Sequence, residues 1–304
     1  MSLCKFAYHG PDTLDEVLAL LAAHGPAARV MAGGTDLVVK MSRGQVAPAV
    51  VIGLKRVPGL GDLHFDPVRG LELGCMTRVS AVLEHPAVAA HYPALAEAAQ
   101  ATATVQIRNM ATIAGNLCNA SPCADNAPTL VARGASVELR SPRGHRALPL
   151  AELFRGPGQT VLAPDELLVR ITVPPPRAAT GFAYLSLSQR SAVDVSAVGV
   201  AAGLTLADGR VAEARIVLGA VAPTPFVATA AADALRGRNP DDAAFRAAGA
   251  AAAEACAPIG DVRASAGYRR KMVAVLVRRA LERATARALG EGTARAARQA
   301  EVTP

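Results

Sequence analysis

The sequence contains no tryptophan, and Phe, Tyr and Trp together supply only 3% of its 304 residues. A chain so poor in aromatic rings must build its cores from Ala, Val and Leu. It also lacks the stacking platforms on which readers of single-stranded nucleic acid hold bases. Lysine is scarce, standing only at positions 5, 40, 55 and 271, so the net charge of +7 is almost wholly arginine. With a pI near 9.5, that excess would suit a polyanion or an acidic partner, yet charge alone names no ligand. No uninterrupted apolar stretch reaches the roughly 18 residues that cross a bilayer, so no membrane span is expected. The opening segment from Met1 to Asp12 lacks the basic-then-apolar run of a signal peptide. Cysteines stand at 4, 75, 118, 123 and 256, an odd and scattered set that suits a reducing cytoplasm. Only Cys118 and Cys123 lie close, and two thiols in C-x4-C spacing do not complete a four-ligand zinc or iron–sulfur site. No metal site is therefore expected.

What is present points to a folded chain. Hydrophobic residues make up 51% against 19% charged, ample apolar surface to offset the entropy of ordering. The length suits two or three domains. The pattern opens as strand (Phe6-Ala-Tyr8), helix (Leu14, Val17, Leu18 and Leu21 at helical spacing behind Asp12-Thr13) and strand (Ala28–Met31). A short helix is expected over 36–41 and a buried strand over 49–54. Further strands are expected at 71–75, 135–140 and 167–173, with helices at 80–84, 93–104 and 126–132 and a polar loop over 108–125. The run Pro174-Pro-Pro-Arg marks a boundary, since prolines cannot join a ladder. Beyond it, strands over 195–206 and 211–221 flank the hairpin signal Asp208-Gly209. Helices over about 226–235 and 268–289 close the pattern. The order is α+β in pieces.

Two stretches carry chemistry. In Ala32-Gly33-Gly34-Thr35-Asp36, paired glycines reach backbone angles closed to other residues, and successive N–H groups in such a turn form an anion nest that a helix start reinforces. Thr35 adds a hydroxyl donor. The turn lacks the Lys of a P-loop and the spacing of a Rossmann turn, and a two-glycine turn taken alone is more often merely a turn. The second stretch runs from Asn109 through Thr112, Gly115, Asn116, Asn119 and Ser121 to Asp125. Its amides, hydroxyls and single carboxylate suit hydrogen bonding to a polyhydroxyl or amide-rich ligand. Equally, Asp125 could simply cap the helix that follows.

Together the two stretches, as Ala32-Gly-Gly-Thr-Asp-Leu37, Gln106-Ile-Arg-Asn109 through Thr112-Ile-Ala-Gly-Asn116, and Ala120-Ser-Pro-Cys-Ala-Asp125, carry a family resemblance. Later landmarks agree: Asp165-Glu-Leu-Leu168, Arg190 with Asp194, Gly219-Ala-Val-Ala-Pro223, and Asp261-Val-Arg with Tyr268-Arg-Arg270. From Phe6 to about Ala284 the chain resembles the FAD-binding medium subunit of the molybdenum hydroxylases, the carbon monoxide dehydrogenase and xanthine dehydrogenase group. The resemblance implies an FAD-binding domain of the p-cresol methylhydroxylase type over 1–175, in two α/β subdomains of about 1–55 and 56–175. A smaller α+β domain with an antiparallel sheet and helices would follow over 176–289, then a polar tail over 290–304.

The resemblance also implies roles. Arg29, Val30, Met31, Ala32, Gly33, Gly34, Thr35, Asp36 and Leu37 would wrap the FAD diphosphate, mostly through backbone N–H groups. Thr112, Gly115 and Asn116 would hold its other side and the ribityl region. Cys118, Ala124 and Asp125 would line the ribityl or flavin end, with Asp125 accepting from hydroxyls, while Ala103 and Leu168 would touch the cofactor by packing. No catalytic residue is implied on this chain. Substrate would be oxidised at a molybdenum cofactor on a large subunit. Electrons would pass through two [2Fe-2S] clusters on a small subunit to this FAD and then to an external acceptor. The assembly implied is a dimer of heterotrimers.

The chain departs from that pattern in two places. Relatives often have two glycines where it reads Ala114-Gly115. They often carry a Lys where Tyr184-Leu-Ser186 ends in Ser186, which leaves the electron acceptor open. A cofactor-free assembly subunit of the same fold, and a basic nucleotide- or nucleic-acid-binding protein, are the competing readings. The helix over 268–289 feeds the latter with Arg269, Arg270, Lys271, Arg278, Arg279, Arg283 and Arg287. An apolar stripe of Met272, Val275, Leu276 and Leu281 instead argues for docking on the core, with the charges on a solvated face.

Overall fold

In the computed structural model, which describes residues 3–190 and 194–290, the chain divides into two units interleaved in sequence. The first takes 3–85, 104–121 and 134–174, and the second 86–103, 122–133 and the described residues from 175 on. Residues 291–304, most of the expected polar tail, lie outside the described residues.

The first unit begins with three parallel strands, β1 (Ala7–His9), β2 (Ala28–Met31) and β3 (Val50–Gly53), in the order β1-β3-β2. The central strand reads Val-Val-Ile-Gly and is buried throughout, as a strand flanked on both edges by parallel neighbours must be. The crossover helix Leu14–His24 opens with a capping box: the Thr13 hydroxyl accepts from the Glu16 N–H while the Glu16 carboxylate accepts from the Thr13 N–H. Its Val17, Leu18 and Leu21 are buried. Five antiparallel strands form the unit's second sheet: β4 (Leu63–Asp66), β5 (Gly70–Gly74), β6 (Ser136–Ser141), β7 (Gly144–Pro149) and β10 (Leu167–Val173), in the order β4-β5-β10-β6-β7. A small ribbon of β8 (Phe154–Gly156) and β9 (Gln159–Thr160) lies between β7 and β10 in sequence.

The stretch 108–125, expected as loop, contains a helix, Ile113–Cys118. Its cap explains it: the Thr112 hydroxyl accepts from the Gly115 N–H at 3.0 Å, a local signal hidden by the polar composition around it. Thr104 caps the short helix Val105–Arg108 in the same way.

The second unit carries four antiparallel strands in sequence order, β11 (Thr180–Leu187), β12 (Val198–Ala207), β13 (Arg210–Gly219) and β14 (Phe226–Val227). The expected helix over 226–235 is shorter, Thr229–Asp233, because Phe226 and Val227 add to the edge of β13 instead. An unexpected helix, Asp242–Ala255, is capped by Asp241; its buried face is Ala244, Phe245, Ala248, Gly249 and Ala252, with a single large apolar residue to announce it. The long helix Ala266–Ala288 lies on β11 and β12. It approaches so closely that a Cβ on Gly181 would run into the Ala284 carbonyl.

The helices Pro93–Ala101 and Asn126–Ala132 pack on this sheet too. Glu97 accepts from Arg283 at 2.9 Å, from Arg287 at 2.7 Å and, through its other oxygen, from the Tyr184 N–H at 2.8 Å. The Arg133 guanidinium stacks on the rings of Tyr92 and Phe182, 4.8 and 4.6 Å from their centroids. Two of the chain's few aromatics thus enclose one cation.

Candidate functional site

In the first unit, Gly34 sits at φ +74° after β2, the left-handed region that glycine enters without strain. The turn it makes feeds the helix Leu37–Ser42, with Val38 N–H donating to the Gly34 carbonyl at 3.0 Å. The N–H groups of Gly33, Gly34, Thr35 and Asp36 donate to no acceptor among the described residues. A half-buried row of four such donors is a binding concavity for an anion.

The second motif closes on this turn. A Cβ on Gly33 would collide with the Met110 carbonyl, and one on Gly115 would lie 2.8 Å from the Thr112 hydroxyl and 4.0 Å from the Ala32 methyl. Both glycines are therefore set by a close approach of two main-chain segments. The Ala111–Ile113 stretch is held in turn by Val79 N–H to the Ala111 carbonyl at 3.0 Å and Ile113 N–H to the Thr77 carbonyl at 3.1 Å. Lys40, at the far end of the helix after the glycine turn, donates to Asn119 Oδ1 at 2.5 Å, which clasps the two stretches at their other end. Ala114, where relatives often have glycine, lies within the helix Ile113–Cys118 and has no positive φ.

Other expected residues of this unit take varied places. The exposed Arg29 turns its guanidinium back onto the carbonyls of Pro26 and Ala28, both at 2.8 Å, so its charge is committed locally. Asp36 is exposed; Val30, Met31, Ala32, Thr35 and Leu37 are half-buried. Thr112 spends its acceptor on the cap. The Leu168 side chain is in the core at 1% exposure. Burial pushes the Cys118 thiol up to about 12, and burial with Cys118 nearby does the same to Cys75, so neither is a thiolate at neutral pH.

Ala103, Ala124 and Asp125 belong to the second unit. Asp125 stands at the N-cap of Asn126–Ala132 but makes no side-chain cap. Its Oδ1 accepts instead from the Tyr184 hydroxyl at 2.7 Å and from Ser196 Oγ at 2.6 Å. The capping reading of Asp125 is thus corrected: two hydroxyls from elsewhere in the chain outcompete the helix N–H groups. Burial raises its carboxyl above the ordinary range, and the Ser196 and Tyr184 hydrogen bonds oppose that. Burial, then the Asp125 charge, lifts Tyr184 well above 10. Tyr184 and Ser196 escaped the sequence reading, since nothing in local spacing ties them to residue 125.

The basic helix is corrected as well. Arg269 is 1% exposed, donating to the carbonyls of Ala197 and Ala220 at 2.7 and 2.9 Å and to Asp261 at 2.6 Å. Arg278 pairs with Asp242 and Glu282, and Arg283 and Arg287 with Glu97. Much of the arginine excess on this helix is spent inside the unit, which removes the main support for a polyanion-binding face. No group of three or more His, Cys, Asp or Glu side chains placed to hold a metal occurs among the described residues. No described helix is long and apolar enough to cross a membrane.

In the first unit the turn of uncommitted N–H donors fits an anionic group such as a diphosphate. Comparison with known proteins agrees. Residues 4–176 match the family described as "FAD binding domain in molybdopterin dehydrogenase", and residues 183–284 match the "CO dehydrogenase flavoprotein C-terminal domain". The carbon monoxide dehydrogenase medium chain of Afipia carboxidovorans is 36% identical over 93% of this chain and 98% of its own. The xanthine dehydrogenase FAD-binding subunit of Escherichia coli O157:H7 is 31% identical over 94% and 98%. Among solved structures, a chain of the carbon monoxide dehydrogenase of Hydrogenophaga pseudoflava superposes with a TM-score of 0.91 at 35% identity, covering 94% of this chain and 99% of that one. The chain belongs to the family of FAD-binding medium subunits of the molybdenum hydroxylases, oxidoreductases of the carbon monoxide and xanthine dehydrogenase type.

Proposed function

We propose that this chain is the electron-transfer subunit of a cytoplasmic heteromeric molybdenum hydroxylase. Its partners would be a small subunit with two [2Fe-2S] clusters and a large subunit with the molybdenum cofactor, assembled as a dimer of heterotrimers. The division into a flavin domain over 1–175 and a C-terminal domain over 176–289 is part of the same reading. The observation that supports it best is the row of free N–H donors at Gly33–Asp36, braced by Met110 and Gly115.

Bound FAD would supply the redox chemistry, accepting electrons from the clusters and passing them to an external oxidant. The chain's own residues have simpler work. The main-chain N–H groups of residues 33–36 would neutralise diphosphate oxygens, with the Thr35 hydroxyl as an additional donor. Val30 and Met31 end the strand that presents the turn, and Leu37 begins the helix after it. Thr112 and Gly115 would hold the second motif's main chain against the first, with Asn116 and Cys118 further along the same helix. In the second unit, Asp125 would accept from a cofactor hydroxyl, with Ala103 and Ala124 as apolar contacts. The chain contributes no acid or base to substrate, whose oxidation belongs to the large subunit.

The absorbance spectrum of the purified full chain tests the reading: flavin bands support it, and a colourless protein that rejects added FAD defeats it. Gly34→Asp places bulk and negative charge in the nest. It is expected to abolish FAD binding, and retained flavin would overturn the assignment of this turn.

A further inference from the structure

Asp125 is an N-cap residue that declines to cap, and the reason lies in a small piece of sheet engineering. Gly199 on β12 and Gly219 on β13 are directly paired. A Cβ on Gly199 would stand 2.7 Å from the Tyr184 hydroxyl oxygen, and one on Gly219 would stand 2.9 Å from Pro128 Cγ. The paired glycines thus let the Tyr184 ring lie flat on the sheet and let the helix Asn126–Ala132 settle beside it. The Ala220 N–H, donating to the Pro122 carbonyl at 2.7 Å, fixes the approach of the segment leading into Asp125. Glu97, itself held by Arg283 and Arg287, accepts from the Tyr184 N–H and secures β11 from its open edge.

The result is one-sided. Tyr184 and Ser196 both donate to Oδ1 of Asp125, while Oδ2 accepts from no other residue among those described. Two hydroxyl donors on one oxygen hold the carboxyl's rotation, so that the second oxygen keeps a single direction.

We propose that Tyr184 and Ser196 are positioning residues for cofactor binding, holding Asp125 oriented so that Oδ2 accepts a hydroxyl of FAD. The inference rests on the FAD-binding reading above and adds to it the two residues that make Asp125 a competent acceptor. The other titratable group facing Asp125 is Cys123 of its own loop; Arg263, Arg269 and Asp261 bear on Cys123. Without the two hydroxyls, only the hydrogen bond from its own backbone N–H opposes the effect of burial on Asp125, and protonation weakens the acceptor as pH falls.

The test uses the full chain stripped of flavin and titrated with FAD, binding being followed by quenching of flavin fluorescence. Tyr184→Phe keeps the ring over Gly199 and deletes only the donor. It and Ser196→Ala are each expected to weaken FAD about tenfold, the loss of one hydrogen bond to a charged group, while Ser196→Thr stays close to wild type. In Tyr184→Phe and Ser196→Ala, the affinity falls more steeply than in wild type as pH is lowered. A merely structural role for the two hydroxyls would not introduce that slope. Ser196→Ala decides the matter alone if Tyr184→Phe does not fold. Wild-type affinity with a wild-type pH profile in Ser196→Ala and in any folded Tyr184→Phe overturns the positioning role. A wild-type chain that binds no FAD overturns the parent reading instead.

Discussion

The glycine turn of the first unit and the carboxylate of the second are built from different materials. Around Gly33 and Gly34 the donors are main-chain N–H groups, aimed by backbone angles and by the pressure of the Met110 carbonyl on Gly33. Around Asp125 the polar atoms are side chains, aimed by hydroxyls that come from strands far along the sequence. A backbone-built element tolerates the loss of side chains and fails when atoms are added. A side-chain-built element tolerates conserved volume and fails when one polar atom is removed.

That contrast orders the expected effects. Gly33→Ala adds one carbon where there is only main chain to receive it. It should lose flavin altogether and destabilise the protein by about 3 kcal/mol, the upper range for overpacking. Thermal unfolding and the flavin absorbance of the purified variant read both. Asp125→Asn keeps volume and still receives the two hydroxyls, so the fold should persist while FAD affinity falls about tenfold, read by fluorescence titration. A colourless but fully stable Gly33→Ala protein would erase the distinction.

The second unit's dependence on side chains should also show in acid. N–H groups of Arg263 and Ala264 and the Arg269 guanidinium hold the Asp261 carboxyl well below its usual 3.8. A depressed carboxylate stabilises the fold above its unfolded value and loses that contribution as pH falls through the lower folded value. The wild-type unfolding temperature should therefore drop below pH 3.8, and Asp261→Asn should start lower at neutral pH with a shallower acid slope. At the small end, Thr35→Val removes a side-chain donor from an element made of main chain, and FAD affinity should change less than about threefold.

The glycine turn was legible because its parts lie within a few residues. The strand over 167–173 was legible because apolar and β-branched residues dominate it, broken by a single charge at Arg170. The helix Ile113–Cys118 was hidden because one threonine cap sits among amides that read as loop. Asp242–Ala255 was hidden because its buried face is alanine and glycine apart from Phe245, which leaves almost no periodic signal. Tyr184 and Ser196 meet Asp125 across 59 and 71 positions. Those contacts depend on a Gly199–Gly219 pair whose meaning exists only once the strands are in register.

The ion cluster at Glu97 has a consequence for how the molecule comes into being. Its partners Arg283 and Arg287 are encoded 186 and 190 positions later. At synthesis rates of about 5–20 residues per second, the helix Pro93–Ala101 leaves the ribosome about ten to forty seconds before the two arginines that pair with its Glu97. Until those arginines emerge, Glu97 lacks both of its cationic partners. The ion cluster, and with it the second unit, can close only when synthesis is almost finished.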